Sequence, residues 1–168
     1  LISGHEKAFG TGDIVVQGGD LQMGDFAVTN KVLVNYGSFS GTAYAGDLTI
    51  TGNGTIGENT TAKSVTLKAA FVSGGSFTNT NISAEETTID TRLTGKTNMT
   101  VTGNTVLNGD HDSTGVFTIK SGTLNVNGSV TTDMNLQGGV VNAANKMVLV
   151  KGQDIRFNGG NMLGSIET

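Results

Sequence analysis

The chain contains no cysteine, no proline and no tryptophan. Without cysteine there is no disulfide framework, no thiolate nucleophile and no cysteine-based zinc or iron–sulfur site, so a secreted chain of this kind has to be stabilised by burial and hydrogen bonding. Proline removes a ladder donor, and its absence over 168 residues suits a backbone committed almost wholly to sheet. Aromatic residues are 5% of the chain, too few for the girdles of a membrane barrel. Ten Lys and Arg against fourteen Asp and Glu, with no basic run, exclude an electrostatic nucleic-acid interface. The longest apolar runs, such as Val148-Leu149-Val150, fall far short of the ~20 residues a spanning helix needs, so no membrane insertion is expected within this segment. The chain opens on Leu1 with no signal peptide and reads as one domain over residues 1–168, a fragment of a larger secreted protein.

What is present is glycine, 26 residues of it, among segments dense in Thr, Asn and Ser, the vocabulary of strands and tight turns. Apolar residues do not recur at helical steps over any useful window, whereas period-two alternation recurs throughout. One pattern can be written eight times: apolar, any, apolar, any, a turn residue, two of any type, apolar. Its first slot holds Ile14, Val32, Leu48, Ala70, Met99, Phe117, Met134 and Val148. The second holds Val16, Val34, Ile50, Val72, Val101, Ile119, Leu136 and Val150. The third holds Leu21, Phe39, Thr55, Phe77, Val106, Leu124, Val141 and Ile155, with Ile56 beside the one polar exception, Thr55. Between the second and third slots stand Gly18-Gly19, Tyr36-Gly37, Gly52-Asn53, Gly74-Gly75, Gly103-Asn104, Ser121-Gly122, Gly138-Gly139 and Gly152-Gln153, mostly residues that tolerate positive φ and let the chain turn a corner.

The spacing, a mean of about 19 residues, predicts an all-β, single-stranded, right-handed parallel β-helix of roughly eight coils, on the order of 40 Å long. A 29-residue gap around residues 83–96 predicts an inserted loop or a degenerate coil. Antiparallel hairpins are the competing reading, because Gly-Gly and Gly-Asn are also hairpin turns.

Residues 121–128, Ser-Gly-Thr-Leu-Asn-Val-Asn-Gly, and 48–55, Leu-Thr-Ile-Thr-Gly-Asn-Gly-Thr, resemble the repeats of bacterial autotransporter passenger domains and related filamentous adhesins. The resemblance implies a stalk exported across a Gram-negative outer membrane, secreted or held at the cell surface, active in adhesion, aggregation or toxicity. The chain departs from the serine-protease members in having no Gly-Asp-Ser-Gly motif.

Candidate chemistry is sparse. His5 and His111 fall outside the repeat and have no triad partner. Asp110-His111-Asp112-Ser113-Thr114-Gly115 begins with calcium-loop spacing, but Ser121 stands where a bidentate glutamate belongs, and the segment is expected to be a polar turn between coils. Gly18-Gly19-Asp20 matches half of a calcium-binding nonapeptide once only. Glu85, Glu86, Asp90 and Arg92 form the one concentration of acids with a base, as a polysaccharide-degrading enzyme would need. The pairs Thr49/Thr51, Thr78/Thr80 and Thr100/Thr102 are too scattered for an ice-binding array. Phe39, Phe77 and Phe117 are assigned to the core; Tyr44 and Phe71 fall outside the slots, but two aromatics make no sugar-stacking platform and they too are assigned to packing. Five Asn-x-Ser/Thr sequons, at Asn53, Asn59, Asn81, Asn98 and Asn127, follow from composition.

No catalytic, cofactor-binding or metal residue is assigned, and no cofactor. The expectation is a non-enzymatic segment of a surface adhesin or toxin passenger, acting in adhesion or self-association. Its expected partner is a host or neighbouring-cell surface protein or glycan, met through residues 83–96, residues 110–115 or the outward Thr/Asn ladders. Neither end shows a capping element. The alternative is a trimeric phage tail fibre recognising glycan, with a polysaccharide-degrading enzyme or an ice-binding protein behind it.

Overall fold

A computed structural model describes residues 1–148 and 154–167. Every strand pairing in it is parallel, and no helix occurs among the described residues. The chain winds as a β-solenoid in which each strand hydrogen-bonds to its counterparts in the coils before and after. Parallel pairing between consecutive coils rules out the hairpin alternative, whose neighbours would run antiparallel.

The first face carries the clearest ladder. Ile14, Val32, Leu48, Val65, Ile82, Met99, Phe117, Met134 and Ile155 follow one another in register. Beside them run Val16, Val34, Ile50, Leu67, Ala84, Val101, Ile119, Leu136 and Phe157. From Val32 to Leu136 all of these are buried. Period-two alternation sends the intervening residues outward, and identical spacing of the coils turns each inward slot into a continuous apolar column.

The expected coil length and the fourth copy of the repeat need correction. The first-face rungs lie about 17 residues apart in sequence, not 19. Ala70 and Val72 do face the core, but on the second face, where they pair with Gly52 and Gly54; the first-face residues of that coil are Val65 and Leu67. The supposed gap at residues 83–96 is neither a loop nor degenerate. It lies within a full coil built from Asn81–Glu85, Thr87–Ile89 and Arg92–Gly95.

The cause of the misplacement is visible in the backbone. The corner two residues past the second slot takes positive φ at Gly18, Tyr36 and Gly52, and equally at Ala69 (47°) and Glu86 (51°), where no glycine announces it. Val106 is likewise half-exposed; the inward residues of its strand are Thr105 and Leu107, which pair with Leu124 and Val126. Thr55 is exposed and Ile56 takes its place in the core, in register with Phe39. Of the last repeat copy, residues 149–153, including Val150 and Gly152-Gln153, lie outside the described residues. Ile155 belongs to the first slot, pairing with Met134, rather than to the third.

At the N-terminal end the turn of residues 5–12 brings half-buried Phe9 onto the core and is tied down by the Asn30 side-chain amide, which donates to the Gly10 and Gly12 carbonyls. That end is therefore partly capped, by a segment with no repeat signature.

Candidate functional site

Outward residues of successive coils are joined side chain to side chain. Asn98 donates to Asn81 at 2.9 Å, Asn142 to Asn125 at 3.1 Å and Asn158 to Asn135 at 3.0 Å. Ser38 donates to Asp20 at 2.5 Å and Ser64 to Asp47 at 2.7 Å, so Asp20 of the Gly18-Gly19-Asp20 corner is engaged by its neighbouring coil. On the first face Thr49, Thr66, Ser83, Thr100 and Thr118 form one outward hydroxyl column over five successive coils. The parallel column beside it runs Thr51, Lys68, Glu85, with Lys68 and Glu85 paired at 3.4 Å, so the hydroxyl surface is one residue wide. Thr78 lies on a third face, built from Ser76–Thr78, Arg92–Gly95 and the start of His111–Ile119, and Thr80 is buried, so the Thr pairs noted in the sequence do not share one surface.

The acidic concentration of the sequence is divided. Glu85 pairs with Lys68, and Glu86 occupies the left-handed corner and accepts the Asn104 amide at 3.2 Å. Asp90 and Arg92 stand on the next corner, where the following coil brings Asn108, Gly109 and Asp110 against them. Together these five line an open surface depression of about 400 Å³. Two segments noted separately in the sequence therefore meet, because one coil separates Asp90 from Asn108 and Arg92 from Asp110. Glycine is required where the next coil crosses this corner: a Cβ on Gly128 would overlap the Gly109 carbonyl, and Gly109 itself has positive φ.

Hydrogen bonds fix the corner. Asn108 donates to Asp90 Oδ1 at 2.6 Å, and Asn127 donates to Asn108 Oδ1 at 2.9 Å. The Ser129 hydroxyl and amide donate to Asp110 Oδ1 at 2.5 and 3.1 Å. Those two bonds, aided by Arg92, hold the Asp110 carboxyl below its ordinary pKa. The guanidinium of Arg92 makes no ion pair or hydrogen bond with a described residue.

The depression has a histidine beneath it. Residues 111–119 form a strand rather than the polar turn expected from the sequence, and His111 and Ser113 are buried. His111 belongs to the repeat after all: it stacks in the third-face column between Leu93 and Val130. Its Nδ1 accepts the Leu93 amide at 3.3 Å, which leaves the proton on Nε2 to be donated to the Asn108 carbonyl at 3.1 Å. Burial pushes its pKa down to about 4, against the partial opposition of the Asn108 carbonyl and the Asp110 and Asp90 carboxylates. The ring is thus neutral at pH 7 and serves packing. His5, in contrast, lies in the exposed N-terminal turn and accepts the Lys7 amide at 3.0 Å.

Extended geometry also changes the reading of residues 110–115. Asp112 and Thr114 point outward about 7 Å apart along the strand instead of wrapping a common centre. No cluster of three or more His, Asp or Glu suited to a metal ion occurs among the described residues.

A second internal feature, with no marker in the sequence, is a ladder of buried hydroxyls along the third corner, where each coil passes into the next first-face strand. Ala62 N–H donates to Thr80 Oγ1 at 3.3 Å, Thr80 N–H to Thr97 Oγ1 at 3.4 Å, Ser113 Oγ to the Thr97 carbonyl at 2.6 Å and Thr132 Oγ1 to the Gly115 carbonyl at 3.1 Å. Buried Thr91 and Thr105 differ, since neither hydroxyl has a hydrogen-bond partner.

No family model, no curated protein and no solved structure matches the chain.

Proposed function

We propose that the chain is a non-enzymatic β-solenoid segment of a large bacterial surface adhesin or toxin passenger, exposed at or secreted from a Gram-negative cell and acting in adhesion or self-association. The observation that carries this reading is the regularity of the outward faces. Coil after coil presents short polar side chains hydrogen-bonded to the next coil, which suits a stiff spacer carrying weak contacts in series. The repeat style of residues 48–55 and 121–128 supports the same reading. Because residues 83–96 lie within a regular coil, contact falls to the faces and corners instead of a projecting loop.

The test is capture of cells on beads bearing the folded chain, compared with beads bearing heat-unfolded chain, alongside light scattering on a size-exclusion column. Fold-dependent capture by an elongated monomer, or by an open-ended series of oligomers, supports the reading. A closed trimer would move the chain to the fibre class, and equal capture by folded and unfolded chain would remove adhesion.

A further inference from the structure

At the corner formed by Asp90, Arg92, Asn108 and Asp110, polar groups of several kinds converge on a depression and keep unused capacity. Asp90 and Asp110 each spend Oδ1 on the following coil, which leaves Oδ2 of each as an acceptor. Arg92 has donors that no described residue takes. Two fixed acceptors around a free donor fork match a ligand that both donates and accepts at adjacent positions, as vicinal hydroxyls do.

Beside the depression runs an outward column of two apolar side chains with a threonine between them. Phe71, Thr88 and Val106 project outward in register on three successive coils, and Asp90 and Asn108 are the next outward residues along two of those strands. Phe71 is 41% exposed, unlike Phe39, Phe77 and Phe117, which are buried. A pyranose ring has this two-sided character, an apolar C–H face and a rim of hydroxyls. Charge narrows the class: two carboxylates against one guanidinium leave the depression net negative, which disfavours a uronate or sialyl group.

We infer that this corner binds a neutral hexopyranose, its hydroxyls held by Asp90, Arg92 and Asp110 and its apolar face laid on Phe71 and Val106. The inference rests on the surface-display reading and gives it a contact point and a ligand class.

Titration of the ¹⁵N-labelled chain with the methyl glycosides of glucose, galactose and mannose, and with methyl glucuronide, tests it by amide shifts. At least one neutral glycoside should give saturable shifts at Gly109 and at the Asn108 side-chain amide, with a dissociation constant on the order of 1 mM. Arg92→Gln and Phe71→Ala, both at exposed side chains, should each weaken it about 10-fold while leaving the circular dichroism unchanged; Thr66→Ala, on the first face, should have no effect. Absence of shifts with all neutral glycosides, tighter binding of the glucuronide, or full binding by Arg92→Gln would each overturn the inference. Cell capture by the Arg92→Gln chain separates it from the broader reading. Undiminished capture without glycoside shifts leaves the display role and removes this site, whereas glycoside shifts without any capture do the reverse.

Discussion

Along the first face, coil after coil contributes only aliphatic, Phe or Met side chains to the interior, whereas the third corner is lined by Thr80, Thr97, Ser113 and Thr132. The face is held by area removed from water and tolerates variation in shape, from Ala84 to Phe117. At the corner each hydroxyl must meet its neighbour's backbone, so one wrong group leaves another stranded. The same chain therefore combines a forgiving wall with an exacting seam, and His111 lies beside that seam.

The contrast can be broken most severely from the wall. Ile119→Ala should destabilise the chain by roughly 3–4 kcal/mol, by lost transfer energy plus the cavity left between Val101 and Leu136, measured as a fall in the urea midpoint. His111 gives the next largest effect, as a pH dependence. Its folded pKa lies below the ordinary 6.5, so its neutral form stabilises the fold fully above about pH 6.5, and that stability is lost as pH falls toward about 4, by on the order of 3 kcal/mol. Urea midpoints between pH 7 and 4 should show the decline, and His111→Leu should flatten it. At the seam, Thr97→Val leaves the Thr80 amide without its partner and should cost about 2 kcal/mol. Thr105→Val, at a buried hydroxyl that has no partner, should instead raise stability by about 1 kcal/mol. Equal effects of the two Thr→Val changes would erase the distinction between a seam hydroxyl that its neighbour needs and a buried hydroxyl that has no partner.

Those two threonines also mark how far the sequence could be read. Val32, Val34, Leu48 and Ile50 announce the wall because alternation of β-branched and aliphatic residues is a local signal, and the parallel stack follows from its recurrence. Thr97 and Thr105 look alike in sequence; only the coil above decides that one hydroxyl is needed and the other is not. The coil at residues 81–95 was hidden for a related reason, since Ala69 and Glu86 adopt a corner conformation for which neither residue is a marker. At the candidate site, Asp90 and Arg92 could be picked out as charged residues, but their meeting with Asn108 and Asp110 depends on a coil length that a misplaced repeat conceals. His111 looks in sequence like part of a polar turn because Asp110 and Asp112 flank it, whereas strand alternation turns it inward.

The register of the first face makes the coil the unit in which this chain can change length. Removing residues 82–98 would bring Met99 onto Val65 and Val101 onto Leu67, rejoining every inward column with one rung fewer. Removing a single residue within a strand would turn the rest of that strand inside out. A gene for such a solenoid can therefore grow or shrink by whole rungs while the cross-section of the coils is preserved.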